Sequence, residues 1–323
     1  MRIARGVKSL LHKLRTPVVI IGNFDGVHRG HVHLFEEAEA LARSLADPAE
    51  GQAAGEVVVL TFEPHPAKVL APAYAPPLIT PLARKLELIA EAGVDVTVVE
   101  PFDRAFAAQS PTEFVDRVLV AGLGARRVCV GYDFTFGSRR SGSVQTLTEL
   151  GHARGFDVTC VPAFTVDGMV CSSTKVREFV LAGRLEGARL LLGRDPEVEG
   201  VVVRGDGRGR KIGVPTANLQ PESELLPKNG VYAGWAELLD APGSRFVAAI
   251  NIGTNPTFQE GRPVTVEAHL IDTEIDLYGK RLRLGFVKRL RDEERFASVD
   301  ALVAQIRRDV AETRQMISAG ARR

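Results

Sequence analysis

The sequence has no excess of charge of either sign. Its 323 residues carry 41 Lys and Arg against 40 Asp and Glu, for a formal net charge of +1. Proteins that bind nucleic acid through its phosphate backbone need a positive field, which this composition does not supply. We therefore expect no nucleic acid partner. The chain is long enough for two domains, and its hydrophobic fraction of 45% is typical of a globular protein.

Cysteine is scarce, and long hydrophobic runs are missing. The three cysteines, Cys129, Cys160 and Cys171, show no CxxC spacing and lie in or beside apolar runs, which is typical of reduced thiols packed as small core residues. The apolar run at 18–21 is too short for a signal-peptide core or a membrane-spanning helix. These features predict a cytoplasmic protein without membrane attachment.

The first ~190 residues alternate short β-branched runs with longer amphipathic segments. This alternation predicts a parallel sheet covered by helices, with a ligand crevice at the carboxyl ends of the strands. The pattern ends in a helix-like stretch at about 173–192. The predicted strands lie near residues 17–21, 56–62, 94–99, 126–131 and 157–161.

After residue 198 the apolar residues alternate with period two, and Gly, Pro and Asn turns separate the runs. This pattern predicts an antiparallel barrel of about six strands, followed by a helix at about 299–318. The fold class is thus α/β with a C-terminal antiparallel β-barrel and a terminal helix. We place the domains at 1–194 and 195–323, because GRDPEVEG has the composition of a connector.

A candidate phosphate site follows the first predicted strand. The turn begins at Gly22 and Asn23 and leads to His28 and His31, three residues apart at a predicted helix start. Backbone N–H groups in a first helical turn lack partners and attract phosphate. Two imidazoles there can donate hydrogen bonds to the charge that develops on a phosphorus under attack. On its own, this pair is equally typical of histidines with no catalytic role.

A second hydroxyl-rich and cationic segment, SSTKVR at 172–177, precedes another predicted helix. Hydroxyls, free N–H groups and cations together suit a pyrophosphate leaving group. Alone, it is more typical of a simple helix cap. Its presence in the same α/β region as the histidine pair favours a nucleotide site. Its candidate phosphate-binding residues are Ser172, Ser173, Thr174 and Arg177.

Glycines and cations are concentrated at 205–218, GDGRGRKIGVPTAN. Glycines let backbone N–H groups approach phosphate closely. The Thr216 hydroxyl and the Asn218 carbonyl are oxygen ligands of the kind that Mg²⁺ prefers. A flexible hairpin with solvated charges is the alternative. The candidate phosphate-binding residues are Gly205, Gly207, Arg210 and Gly213.

These motifs resemble those of a known family. GNFDGVHRGH (22–31) resembles the HxGH signature of nucleotidylyltransferases, and SSTKVR resembles their partner motif for the β- and γ-phosphates. TFEPHP (61–66) and GYDFTFG (131–137) narrow the likeness to the prokaryotic bifunctional riboflavin kinase/FMN adenylyltransferases. The resemblance to their flavokinase module rests on GRGRKIGVPTAN, GVYA (230–233), NIGTNPTF (251–258), VEAHL (266–270), DLYG (276–279) and LRDE (290–293).

The resemblance implies a Rossmann-like N-terminal domain that transfers AMP from ATP to FMN, giving FAD and pyrophosphate. It implies that His28 and His31 stabilise this transition state and that Asn23 and Asp133 help to place the phosphates and the flavin. Aromatic walls suit a flat ring system, although core packing explains any single phenylalanine as well. The implied flavin-lining aromatic residues are Phe62, Phe114 and Phe136.

For the barrel, the resemblance implies ATP-dependent phosphorylation of riboflavin with Mg²⁺, in which Glu267 takes the proton of the 5′-hydroxyl. A lone carboxylate in an apolar strand is costly to bury without a role. Arg291 is expected to contact flavin or nucleotide, and an ion pair with Asp292 or Glu294 is the alternative. His269 is expected to be packed or hydrogen-bonded.

The sequence leaves two other functions open. One is a nucleotidylyltransferase for a different small phosphate ester, which would leave PTAN and Glu267 without a role. The other is a flavin- or nucleotide-binding regulator without catalysis, for which damaged motifs would be expected. We expect riboflavin, FMN and ATP as partners, and a monomer or weak homo-oligomer.

Overall fold

The computed structural model describes residues 1–46, 53–205, 207, 209, 212–241, 243–253, 264–273 and 275–320. The chain divides into two compact units. The first contains Met1–Pro77 and Leu82–Ser172, and the second contains Leu78–Pro81 and Ser173–Arg323. The domain boundary at 194/195 stays a prediction; in space, the segment from residue 173 to 194 belongs to the compact unit that contains the barrel.

Strands form where the first unit has β-branched runs. β1 pairs at the edge of the sheet, where Ala4 alone of its residues is buried. β1 was not predicted, because two of its four residues are arginines. The described strands of this unit are β1 (Arg2–Arg5), β2 (Val18–Ile21), β3 (Val57–Glu63), β4 (Val96–Pro101), β5 (Arg127–Gly131), β6 (Thr135–Phe136), β7 (Gly142–Ser143), β8 (Asp157–Val161), β9 (Thr165–Val166) and β10 (Met169–Val170).

Six of these strands form one parallel sheet in the order β1-β4-β3-β2-β5-β8. This confirms the predicted parallel sheet. Every residue of β2 is buried, as expected for a central strand covered on both faces. Successive side chains enter different cores: Val19 and Ile21 belong to one apolar cluster, and Val18 and Ile20 to the other.

Helices cover both faces of the sheet. In the longest of them, the buried residues Leu34, Phe35, Ala38 and Ala42 recur at helical spacing and join the cluster of Val18 and Ile20. The α5 helix continues into a π-helix at Val115–Gly122. The described helices of this unit are α1 (Arg29–Ser44), α2 (Pro66–Leu70), α3 (Leu82–Glu91), α4 (Arg104–Ala107), α5 (Pro111–Phe114) and α6 (Val144–Arg154).

The second unit begins with two helices where the sequence predicted one continuous helix. Gly183 lies at φ +70°, in the left-handed region that ends a helix, so the segment 173–192 is interrupted. The described elements of this unit are α7 (Ser173–Leu181), α8 (Leu185–Leu192), β11 (Glu197–Val203), β12 (Ala217–Pro221), β13 (Gly230–Leu238), β14 (Arg245–Gly253), β15 (Thr265–Leu270), β16 (Arg281–Arg291) and α9 (Val299–Gly320).

These six strands close into an antiparallel barrel in the order β11-β12-β15-β14-β13-β16, as predicted. Tyr232 and Phe286 fill its interior with their rings edge to face, 5.3 Å between centroids. Gly285 pairs with Trp235 across β16 and β13, and any side chain at position 285 would collide with the indole. The α9 helix packs against β13 and β14.

The cysteine prediction is confirmed for two residues and wrong for the third. Cys129 and Cys171 are buried, and burial raises the pKa of the Cys129 thiol to about 12. Cys160 on β8 is exposed, because β8 is the edge strand of the sheet and its burial is incomplete. No helix that the structure describes combines the length and apolarity needed to cross a membrane.

A buried ion pair ties β16 to β11. The Arg283 Nε donates to Glu199 Oε1 at 2.7 Å, and the side chains are 9% and 3% exposed. We expect Arg283→Met to lower the free energy of unfolding of this unit by about 3–5 kcal/mol, because it leaves a buried carboxylate without its closest cation. Urea unfolding followed by fluorescence of the single tryptophan, Trp235, measures the effect in this unit.

A matched control breaks an exposed pair in the same unit. Arg314 and Asp272 form an ion pair with side chains 53% and 72% exposed, so Arg314→Met should leave the urea midpoint nearly unchanged. Equal shifts of the urea midpoint in the two variants would contradict the expectation that burial makes the Arg283–Glu199 pair the more important one for stability.

Candidate active sites

The chain leaves β2 through a turn with unusual backbone geometry. Phe24, Gly26 and Val27 have φ values of +50°, +83° and +38°. A positive φ is an outlier for a β-branched residue such as valine and stores strain. The turn brings His28 to the N-cap of α1, at the carboxyl end of a central strand.

The two predicted imidazoles lie together. The rings of His28 and His31 are stacked, with centroids 3.6 Å apart and planes inclined by 19°. The Phe24 ring meets His31 edge to face at 5.2 Å. A Cβ at Gly30 would lie 3.2 Å from the His28 ring and from Cys171, so a glycine between the histidines allows this close packing. The pair stands at the N-terminus of a 16-residue helix, where anionic phosphate is favoured.

A buried lysine lies beneath this turn. The Asn23 carbonyl oxygen accepts hydrogen bonds from Thr61 Oγ1 at 3.2 Å and from Lys85 Nζ at 3.3 Å. Lys85 is 6% exposed, and burial lowers the pKa of its ammonium group, while Glu63 and Asp25 oppose that shift. Sequence analysis missed Lys85. The available signal was that Lys85 lies four residues before Ile89, a spacing that places both side chains on the same, buried face of α3.

The phenylalanines expected around flavin form part of one aromatic cluster. Phe106 links Phe62, at 5.8 Å between centroids, to Phe114, at 6.1 Å, and Phe114 lies 5.5 Å from Phe136. Phe114 and Phe136 are 4% and 7% exposed and belong to the core, whereas Phe62 is half-buried. Asp133 is exposed on the turn after β5. A flavin contact of these residues stays a prediction.

The SSTKVR segment forms the start of α7, as predicted. Ser172 is the last residue of the first unit, and Ser173 begins both the helix and the longer segment of the second unit. Thr174 is exposed and Arg177 is buried. The Lys175 Nζ pairs with Glu178 at 2.8 Å. That this segment binds the phosphates of ATP stays a prediction.

The barrel brings Glu267 together with the predicted metal ligands. Asn218 on β12 pairs with Glu267 on β15 in the strand register, and Thr216 Oγ1 donates to Glu267 Oε2 at 3.3 Å. A side chain at position 205 would collide with the Asn218 amide, so Gly205 permits this backbone to lie against it. The Thr216 hydroxyl thus contacts the Glu267 carboxylate, and Asn218 lies opposite Glu267 on the neighbouring strand.

Two other glycines of this segment, Gly207 and Gly213, are exposed. Gly207 and Gly213 have φ values of +67° and +78°, which glycine adopts without strain. Arg210 lies outside the residues that the structure describes. Nearby, His269 Nδ1 lies 2.7 Å from the Pro215 carbonyl oxygen, so the imidazole anchors the segment that carries Thr216. Hydrogen bonding of His269 is therefore confirmed.

Arg291 has a different carboxylate partner from those considered in the sequence. Its Nε and Nη2 donate to the Asp309 carboxylate of α9 at 3.1 and 2.8 Å, and Nη1 donates to the Asp292 carbonyl oxygen. The alternative of an ion pair with Asp292 or Glu294 is therefore wrong in its partner: the guanidinium forms a bidentate ion pair with Asp309. Sequence analysis missed this aspartate, which is 5% exposed.

Within the described residues, no group of three or more His, Cys, Asp or Glu could hold a metal ion by itself. The donor set at the barrel site nevertheless fits Mg²⁺. Thr216 and Asn218 supply neutral oxygens beside the Glu267 carboxylate. Mg²⁺ usually takes few protein ligands and completes its shell with water and substrate phosphates.

Two family models match this chain in succession. The FAD synthetase model matches residues 11–175, and the riboflavin kinase model matches residues 192–317. Curated bifunctional riboflavin kinase/FMN adenylyltransferases are similar over nearly the whole length. The protein from Escherichia coli K12 is 39% identical, covering 98% of this chain and 97% of its own, and that from Pseudomonas fluorescens is 37% identical over both full lengths.

A solved structure is similar in fold. It is described as a macrolide-efflux protein from Streptococcus pneumoniae, is 30% identical, and superposes with a TM-score of 0.83 over 97% of this chain and 98% of that chain. In this chain, the FAD synthetase match covers every strand of the parallel sheet except β1, and the riboflavin kinase match covers the whole barrel. The chain therefore belongs to the family of bifunctional riboflavin kinase/FMN adenylyltransferases.

Proposed function

We propose that this chain makes FAD from riboflavin in two ATP-dependent steps, each at its own candidate site. The barrel phosphorylates riboflavin to FMN, and the unit with the parallel sheet transfers AMP from ATP to FMN. The observation that carries the proposal is that one chain holds both a stacked imidazole pair at a helix N-terminus and a Thr216–Glu267 contact opposite Asn218. A different nucleotidylyltransferase would leave the second arrangement unused.

In adenylyl transfer, a phosphate oxygen of FMN forms a bond to the α-phosphorus of ATP, and the bond to pyrophosphate breaks. The FMN phosphate is already anionic, so the step needs charge stabilisation rather than a base. We assign that role to His28 and His31. Gly22 and Asn23 would place the phosphates with the N–H groups of α1. The pyrophosphate would be bound by Ser172, Ser173, Thr174 and Arg177.

In riboflavin phosphorylation, the 5′-hydroxyl oxygen forms a bond to the γ-phosphorus of ATP, and ADP leaves. The hydroxyl proton has to be taken up, and Glu267 is the carboxylate placed to accept it. Thr216 and Asn218 would hold Mg²⁺, which neutralises phosphate charge when bound. The backbone of Gly205, Gly207 and Gly213, with Arg210, would approach the ATP phosphates.

Flavin binding would involve the aromatic residues of the first unit, Asp133 and Arg291. Phe62 is half-buried and packs against the core cluster that contains Phe114 and Phe136. Asp133 is accessible to a ligand. Arg291 would meet flavin or nucleotide while Asp309 holds its guanidinium.

We infer that the protein works in the cytoplasm as a monomer or weak homo-oligomer, without a nucleic acid partner. The free cysteines Cys129, Cys160 and Cys171 support a reducing compartment. The balanced charge of the sequence supports the absence of nucleic acid binding.

The proposed function is tested by supplying the purified protein with riboflavin, ATP and Mg²⁺, and separately with FMN, ATP and Mg²⁺. Chromatography should show riboflavin converted to FMN and then FAD, with ADP released in the first step and pyrophosphate in the second. Chelation of Mg²⁺ should stop both steps. Bound but unconverted flavin would instead support a regulator, and conversion of neither flavin would contradict the proposal.

A further inference from the structure

A buried ammonium group, that of Lys85, lies beneath the turn that joins β2 to α1 and has no role in either proposed reaction. Lys85 on α3 is 6% exposed, and its Nζ donates to the Asn23 carbonyl oxygen and to Thr61 Oγ1, each at 3.3 Å. The Thr61 hydroxyl, which is fully buried, also donates to the Asn23 carbonyl at 3.2 Å. One backbone carbonyl therefore accepts from two buried side chains of separate elements.

The carbonyl that receives these bonds lies directly before the strained part of the turn. Phe24, Gly26 and Val27 follow it with positive φ values, and His28 comes next as the N-cap of α1. Strained backbone persists only where its surroundings hold it in place. The position of His28 relative to β2 therefore depends on how firmly Asn23 is fixed.

Burying a lysine ammonium is costly, so its retention needs compensation. Burial disfavours the charged form of Lys85 and lowers its pKa, and two charged groups oppose this effect: the carboxylates of Glu63 on β3 and Asp25 in the turn. Asp25 is itself 4% exposed. A charged donor here bonds the Asn23 carbonyl more strongly than a neutral donor would.

We propose that Lys85 is a positioning residue for adenylyl transfer, in which its ammonium group, together with Thr61, fixes the Asn23 carbonyl and so holds the strained turn that sets the imidazole of His28. This inference rests on the proposed function of the first unit. Lys85 acts through the turn and touches no reacting atom.

The test compares Lys85→Met, Lys85→Arg and Thr61→Val in the full-length protein. We expect Lys85→Met to lower kcat for FAD formation by about 10- to 100-fold, because small misplacements of catalytic groups have effects of this size. FMN formation by the same preparation should stay within about twofold, since the barrel lies in the other unit. Lys85→Arg, which keeps the charge and the donors, should restore most of the rate, and Thr61→Val should cause a smaller loss.

A pH profile separates positioning from simple loss of folding. Burial lowers the pKa of Lys85, so the native FAD-forming rate should fall at alkaline pH as the ammonium loses its proton. An arginine keeps its charge there, so the alkaline fall in Lys85→Arg should move to higher pH. Ile89→Val is the packing control: Ile89 is fully buried on the same helix face, and its variant should lower the melting temperature with kcat within about twofold.

The inference is overturned if Lys85→Met forms FAD at the native rate, if Ile89→Val loses as much kcat as Lys85→Met, or if Lys85→Arg shows the native alkaline limb. If Lys85→Met does not fold, the pH profile of Lys85→Arg and the rate of Thr61→Val decide the matter. Failure of the native protein to form any FAD would contradict the proposed function instead, before any variant is compared.

Discussion

We expect His28→Ala or His31→Ala to slow FAD formation from FMN by about 100- to 1,000-fold, the range seen when one preorganised donor to a transition-state charge is removed. The two rings are stacked at 3.6 Å, so the loss of either also removes the partner that orients the other. FMN formation from riboflavin should stay within about twofold, because the barrel carries that reaction. Initial rates of both reactions, measured on the same preparation by chromatography, check the expectation.

The same helix offers a matched control. His33 lies two residues beyond His31, its ring packs against Phe164 at 4.9 Å, and its Nδ1 lies 3.8 Å from Glu36. His33→Ala removes an imidazole from α1 without touching the stacked pair and should leave both rates near native. A similar loss of FAD formation in His33→Ala would show that any disturbance of α1 slows the reaction, and would contradict a specific role for His28 and His31. Loss of both activities from His28→Ala would contradict separate sites.

The chemistry-bearing motifs were readable from sequence because their spacing is local. Strand β2, the turn and the start of α1 are contiguous, so the pairing of His28 with His31 follows from helical geometry over three residues. The same holds for Glu267 and His269, which share one face of a strand. Local periodicity also predicted five of the six strands of the parallel sheet, with bounds within a few residues of the observed ones: β2, β3, β4, β5 and β8.

What sequence reasoning missed depends on distant partners. In the sequence, Lys85 resembles a surface lysine, because the turn and β3 that bury it are distant along the chain. Asp309 is one of several acidic residues on an amphipathic helix, and only the fold brings it to Arg291. Strand β12 offers only two alternating apolar residues, Ala217 and Leu219, and its place in the barrel is set by pairing with β11 and β15. The break at Gly183 was missed because the apolar pattern continues across it.

We expect Glu267→Gln to slow FMN formation from riboflavin by about 100- to 10,000-fold, the usual contribution of a general base. Glutamine keeps the size of the side chain and an oxygen that can accept the hydrogen bond from Thr216, so the strand and the PTAN segment should keep their geometry. Only the capacity to take up the proton of the 5′-hydroxyl is lost. FAD formation from added FMN should be unaffected, which is the reverse of the result expected for His28→Ala.

Glu222→Gln is the control for the same chemical change on the same barrel. Glu222 follows β12, and its carboxylate pairs with Arg281 at 2.6 Å on an exposed part of the unit, so its variant should phosphorylate riboflavin at the native rate. If Glu267→Gln also kept the native rate, the proton would have to leave by another route, and Glu267 would serve only to bind Thr216. If Glu267→Gln instead raised KM for ATP with kcat unchanged, the carboxylate would act in binding the nucleotide and not in proton transfer.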